Sequence, residues 1–199
     1  MAYNHKKGLS YVKDNICFIP IPKNGSTTIR KHFFNNNQNN YTFNFIQNPE
    51  ILIKNKVIVI LREPIERFCS GYVEVINRFN DSPLTLEKSF FKIKDKKERF
   101  LKFIDDLEFD GLFDAHIEEQ IFYITDENND LIKVDEFWNI NQVTSNLKNY
   151  VGYDVNKEWS RGENKNYYID LLYNNNELLE KIKKLYKKDI ELYQKKIIK

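Results

Sequence analysis

Residues 56–72 read KVIVILREPIERFCSGY. Val57 to Leu61 are aliphatic without a polar break, the composition of a strand buried on both faces. Pro64 stands where a helix would begin, because a proline's missing N–H costs nothing in a first turn. Beyond it Ile65, Phe68, Tyr72, Val75 and Phe79 recur at helical spacing and predict a helix over 65–79. Arg62 is then at the carboxyl end of its strand, and Ser70, eight residues on, lies two turns into the helix.

Upstream, NICFIPIPKNGSTTIRKHF (15–33) repeats the same grammar. An apolar run over 15–22 predicts a second buried strand, and a helix is expected from about Ser26 to Phe34, with Ile29 and Phe33 on one side. Between them lie Lys23, Asn24 and Gly25, followed by the hydroxyls of Ser26, Thr27 and Thr28. Such a turn can gather backbone N–H groups around an anion, with Gly25 permitting close approach and Lys23 adding a charge. The plainer alternative is a strand–turn–helix in which Ser26 is only an N-cap. The stretch is not a Walker A loop, since its lysine precedes the glycine instead of following it. Ligands of parallel α/β sheets bind at the carboxyl ends of strands, so Lys23 and Arg62 should emerge on one edge. An arginine fork there suits a terminal phosphate. Arg67 reads as a helix-surface residue.

The rest of the chain continues the alternation. YTFNFI (41–46) reads as a strand, and the asparagine-rich 35–40 before it as a solvated loop. A helical stretch is expected from Thr85 to Leu107, with Phe90, Phe91, Phe100 and Phe103 as core. LIKVDEF (131–137) predicts a strand and INQVTSNLKNYV (140–151) a helix. ELLEKIKKLYKKDIELYQKK (177–196) predicts one amphipathic helix with a solvated basic face. The expectation is a single α/β domain over 1–199, a parallel β-sheet flanked by helices.

Composition narrows the function. Apolar residues are 41% and aromatics 15% of 199, enough to build a core despite the polar average. A net charge of +2 gives no support to nucleic-acid binding. No run of about 18 apolar residues occurs, so a chain that does not insert into membranes and works in a reducing cytoplasm is expected. Cys17 and Cys69 are the only cysteines and read as buried free thiols, without metal-ligand spacing. Of Trp138 and Trp159, at least one is expected to be buried packing and either could stack on a sugar or base.

The PKNGSTT and REPIERFCSGY segments together resemble the sulfotransferases that use 3′-phosphoadenosine-5′-phosphosulfate (PAPS), and most closely the carbohydrate sulfotransferases. FDAHIEEQIFY (113–123) is similar to that group's segment with His and Gln four apart, here His116 and Gln120. LIKVDEFWNINQVTSNL and KIKKLYKKDIELY resemble its following strand and helix and its last helix. The resemblance runs in order over about residues 15–193; the cysteines usual around the His/Gln segment are missing here. It implies the P-loop-like sulfotransferase fold and transfer of a sulfuryl group from PAPS to a hydroxyl of a carbohydrate or glycan, leaving 3′-phosphoadenosine-5′-phosphate. It implies that Lys23 contacts the bridging and sulfuryl oxygens. Backbone amides of Asn24 to Thr28, with the Ser26 and Thr27 hydroxyls, would hold the 5′-phosphate, and Arg62 and Ser70 the 3′-phosphate. Arg161 in EWSRGENK resembles a late segment that touches nucleotide or acceptor. No metal is implied.

An acceptor hydroxyl needs a base, and His116 is the first candidate because imidazole exchanges protons near neutrality. Glu74 and Glu119 are carboxylate alternatives; His32 and His5 are read as structural or solvated. Two other functions fit the cradle: a P-loop-related nucleotide kinase and a nonenzymatic nucleotide-binding protein. Neither the acceptor nor the oligomeric state is legible in the residues.

Overall fold

The computed structural model describes residues 9–34, 42–45, 49–80, 89–112, 114–156 and 165–198. Five strands form one open sheet: β1 (Leu9–Lys13), β2 (Ile16–Ile19), β3 (Thr42–Phe45), β4 (Lys56–Leu61) and β5 (Glu136–Asn139), in the order β3-β1-β2-β4-β5. The helices are α1 (Ser26–His32), α2 (Pro49–Lys54), α3 (Pro64–Asn80), α4 (Lys96–Asp110), α5 (Val143–Val151), α6 (Lys165–Tyr173), α7 (Asn176–Leu185) and α8 (Lys187–Tyr193).

The α/β architecture is as expected, but the sheet is mixed. β2, β4 and β5 run parallel, with Ile19 beside Val59 and Leu61 beside Asn139. β1 is antiparallel to both β2 and β3. The sequence reading missed β1, which joins β2 through Asp14 and Asn15, both at positive φ (52° and 61°). A two-residue turn with both residues left-handed matches the twist of a hairpin, and Asp and Asn tolerate that conformation.

Several boundaries differ from expectation for local reasons. β2 ends at Ile19 because Pro20 and Pro22 have no N–H for a ladder. The third parallel strand begins at Glu136, five residues later than the run LIKVDEF suggested; Asp135 leads it in, its backbone N–H donating to Val57 O and its carboxylate accepting from Val57 N. The stretch expected to be helical from Thr85 is a short 3₁₀ turn, Ser89–Lys92, and then α4; residues 85–88 lie outside the described residues. Asp95 caps α4 by accepting from Glu98 N at 2.8 Å, a capping signal present in the sequence. The C-terminal helix breaks at Tyr186 between α7 and α8, and Tyr186 turns its hydroxyl inward to the Ile117 carbonyl.

Each face of the sheet has its own core. Phe18, Ile58, Ile60 and Trp138 lie under α1 and α5. Cys17, Ile19, Val57, Val59 and Leu61 lie under Leu52 of α2, the 3₁₀ turn Ile121–Ile124 and Leu192 of α8. A third cluster joins α3 to α4, α6 and α7. There Tyr72 meets Phe100, Phe103 and Tyr168 edge-on at 4.7–4.8 Å between centroids. Phe90, Phe100 and Phe103 are buried, Phe91 packs partly exposed against them, and both cysteines are buried free thiols. Trp138 packs on Phe18 at 5.5 Å; Trp159 is outside the described residues.

No described helix is long and apolar enough to cross a membrane.

Candidate functional site

The loop after β2 and the end of β4 lie side by side because the two strands are parallel neighbours. Pro22 and Lys23 form the middle of a tight turn closed by Asn24 N donating to Ile21 O at 3.2 Å. Pro22 supplies the fixed φ, and Lys23 takes φ +67°, as in a type II turn. Gly25 at φ +83° then starts α1. The N-cap is therefore Gly25 in a left-handed conformation without a side-chain cap, and Ser26 is the first helical residue. A lysine held left-handed costs about 1 kcal/mol or more and persists only where surroundings enforce it.

Those surroundings are polar and shared. Asn24, buried, donates from Nδ2 to Ile60 O at 2.7 Å and to Gln120 Oε1 at 2.6 Å. Gln120 is also buried and pairs with the main chain of Arg62: its Nε2 donates to Arg62 O at 3.0 Å, and its Oε1 accepts from Arg62 N at 3.0 Å. A side-chain amide thus stands where a neighbouring strand would, at the point where β4 leaves the sheet. Gln120 is itself fixed from behind, since Asp189 of α8 accepts from the N–H groups of Gln120 and Ile121 at 2.7 and 2.9 Å.

The cations expected on this edge converge there. Arg62 Nη1 donates to Lys23 O at 3.3 Å, and the two side chains are 8% and 7% exposed. Each has a carboxylate partner from α3: Lys23 Nζ lies 3.2 Å from Glu74, and Arg62 lies 3.5 Å from Glu66. Burial lowers the pKa of Lys23, with Glu74 opposing; burial also lowers that of Arg62. Glu74 also accepts from Arg78. Burial works to raise the Glu74 pKa, but Lys23, His116 and Arg78 outweigh it and hold the carboxyl below its usual range.

Ser70 sits on α3 between Glu66 and Glu74, four residues from each, and is 2% exposed. Thr27 is exposed, Ser26 half-buried and Thr28 buried. Arg161 lies outside the described residues, as do His5 and the 35–40 segment. His32 is half-buried and meets Tyr153 at 6.1 Å between ring centroids.

Arg67 is not a surface residue: it is fully buried. Its Nε donates to Pro22 O at 3.2 Å and its Nη1 to Glu118 O. One guanidinium thereby joins the Lys23 turn to the segment that carries His116 and Gln120. A lone arginine in a helix gives no sequence signal of this role.

His116 enters the site through Gly71. A Cβ at Gly71 would stand 2.2 Å from the His116 carbonyl oxygen, so only glycine lets the 114–120 segment lie against α3. Asp114 Oδ1 accepts from His116 N at 2.8 Å and lies 2.7 Å from His116 Nδ1. Burial works to raise the Asp114 pKa, but the bonds from His116 outweigh it and hold the carboxyl below its usual range. Glu119 has the opposite balance: burial and the nearby Asp189 raise it to about 7.

Three buried polar atoms at this edge have no hydrogen-bond partner among the described residues: the donors Arg62 Nε and Arg67 Nη2 and the acceptor Asn24 Oδ1. A buried N–H on a cation at the strand's end is what an anionic ligand would satisfy. Lys23 beside it adds a second cationic donor. The residue set therefore fits an anionic ligand at the carboxyl ends of β2 and β4, with the ionised carboxylate of Glu74 on Lys23 and the His116 segment packed on the same helix. Comparison with protein families, with characterised proteins and with solved structures finds no match for this chain.

Proposed function

We propose that the chain is a PAPS-dependent sulfotransferase with the P-loop-like sulfotransferase fold, acting on a hydroxyl of a carbohydrate or glycan in the cytoplasm. The observation that supports this most directly is the convergence of Lys23 and Arg62, both nearly buried, at the ends of adjacent parallel strands. The support rests on these side chains more than on the start of α1, which is only seven residues long.

In this reading Lys23 contacts the bridging and sulfuryl oxygens, the backbone amides of Asn24 to Thr28 with the Ser26 and Thr27 hydroxyls hold the 5′-phosphate, Arg62 with Ser70 holds the 3′-phosphate, and Arg161 contacts nucleotide or acceptor. When bound, PAPS supplies an activated sulfuryl group for in-line displacement. Lys23 balances the negative charge that grows on the departing phosphate, a preorganised electrostatic contribution. His116 takes the acceptor's proton. Burial of the cations keeps water from screening them.

The test is calorimetric binding of 3′-phosphoadenosine-5′-phosphate against ADP and AMP. A preference for the 3′-phosphorylated nucleotide that disappears in Arg62→Ala supports the reading; a Lys23→Ala variant should lose transfer. Equal binding of all three would remove the role given to Arg62 and Ser70. Tight Mg-ATP binding in its place would favour a nucleotide kinase, and nucleotide binding without transfer a nonenzymatic binding protein.

A further inference from the structure

The carboxylate of Asp114 is committed to one neighbour. Its Oδ1 accepts from the His116 backbone N–H and faces His116 Nδ1 at 2.7 Å. Both side chains are mostly buried, at 12% and 14% exposure. Beside a carboxylate that stays ionised, Nδ1 carries the ring proton and Nε2 is left as the lone-pair nitrogen. The backbone bond fixes the same carboxylate to the main chain of the residue it orients, so the imidazole has little freedom to turn. Gly71 then lets that main chain lie against α3, the helix that also carries Glu74, the partner of Lys23.

We propose that Asp114 is the positioning residue of the transfer reaction, holding His116 in the Nδ1–H tautomer with Nε2 as proton acceptor and stabilising the imidazolium that forms. The proposal rests on the sulfotransferase reading above. In the step concerned, the acceptor oxygen bonds to sulfur as its proton passes to His116 Nε2. The bond from sulfur to the bridging oxygen breaks, and its electron pair leaves on the nucleotide phosphate beside Lys23. The imidazolium so formed lies against the Asp114 carboxylate; Glu74 is the nearby carboxylate on α3, and Arg78 is the cation that acts on both carboxylates.

The first measurement is the tautomer itself, on the full chain without nucleotide. The chain has three histidines, so nitrogen-15 imidazole spectra above neutral pH can be assigned by difference with His116→Ala. His116 should show a protonated Nδ1 and a pyridine-type Nε2. Asp114→Ala should release it to the Nε2–H form that free imidazoles favour, whereas Asp114→Asn keeps an acceptor oxygen and should retain the native tautomer. A wild-type Nε2–H tautomer, or a native tautomer in Asp114→Ala, overturns the proposal.

The second measurement is transfer from PAPS to para-nitrophenyl galactoside, glucoside and N-acetylglucosaminide and to desulfated polysaccharide. Asp114→Ala should lower kcat about 10²-fold, within the range a general base contributes, with 3′-phosphoadenosine-5′-phosphate affinity unchanged. Asp114→Asn should fall between Asp114→Ala and wild type. Equal kcat in wild type and Asp114→Ala overturns the role of Asp114 alone. Absence of transfer by the wild type, with no preference for the 3′-phosphate, overturns the sulfotransferase reading and this role with it.

Discussion

Asn24 Nδ2 donates to Gln120 Oε1 at 2.6 Å, tying the turn after β2 to a residue 96 positions further along the chain. The same oxygen accepts from Arg62 N, so one side-chain amide sets the separation of the two strand ends that carry Lys23 and Arg62. The cationic edge is thus built on a buried polar junction, and the junction fails as a unit if one member is removed.

Replacing Gln120 by Ala leaves Asn24 Nδ2 one acceptor short and the Arg62 N–H and C=O without these partners. Each unsatisfied buried group costs about 1–3 kcal/mol. Urea unfolding of Gln120→Ala should show a loss of about 3 kcal/mol or more. A loss below about 1 kcal/mol would mean that the junction relaxes or fills with water.

Gly71→Ala tests the approach of the His116 segment to α3. A Cβ 2.2 Å from the His116 carbonyl oxygen and 2.8 Å from its carbon must push backbone aside. The expected destabilisation is about 1–3 kcal/mol, typical of overpacking, with a matching fall in Tm. The His116 ring resonances should move in the same variant. Wild-type stability and unchanged resonances would show that the segment is not held where the structure has it.

Glu74→Gln should tighten binding of 3′-phosphoadenosine-5′-phosphate. Glu74 is the carboxylate partner of Lys23 at 3.2 Å, and an incoming anion competes with it for the ammonium. Releasing Lys23 is expected to raise affinity up to about tenfold, equivalent to about 1.4 kcal/mol, by calorimetry. Weaker binding in Glu74→Gln would instead make Glu74 a group that orients Lys23 for the ligand.

Glu119 gives a pH dependence of stability. Its carboxyl titrates at about 7 in the folded chain against an ordinary 4.5, because burial and Asp189 disfavour the anion. Between these values the folded state binds more protons than the unfolded one, so this contribution to stability falls as pH rises. Asp189, raised by its own burial, acts in the same direction. Asp114 and Glu74, with lowered pKa values, act in the opposite direction, their contributions being lost only as pH falls below the ordinary carboxylate range. Urea midpoints of wild type and Glu119→Gln should therefore diverge from pH 5 to pH 8, the wild type losing more. Parallel curves would show that Glu119 is solvated in the folded protein.

The α/β class was written in local pattern. Val57–Leu61 reads as a doubly covered strand, because an unbroken, β-branched aliphatic run ended by Pro64 has no polar face to give to water and is too short for a buried helix. Pro64 and the spacing from Ile65 to Val75 mark α3, and Lys23 and Arg62 are placed on one edge by the direction of parallel strands alone. The hairpin of β1 and β2 was missed: Asp14-Asn15 is its turn, but the polar residues around it masked the short strand Leu9–Lys13.

Contacts distant in sequence leave no such trace. Arg67 looks like any helix-surface arginine until the carbonyls of Pro22 and Glu118 are brought to it from two other segments. Asn24 reads as a loop residue, Asp189 as a charge on a basic helix and Asp114 as a neighbour of His116. Their partners are fixed only when α8, the 114–121 segment and the β2 turn pack together. Hydrophobic periodicity is a property of neighbouring residues and survives in the sequence, so it determined the elements and the edge at which they end. A buried polar bond depends on two groups meeting in three dimensions, so only the tertiary structure decided which side chains hold that edge open and which cations face it.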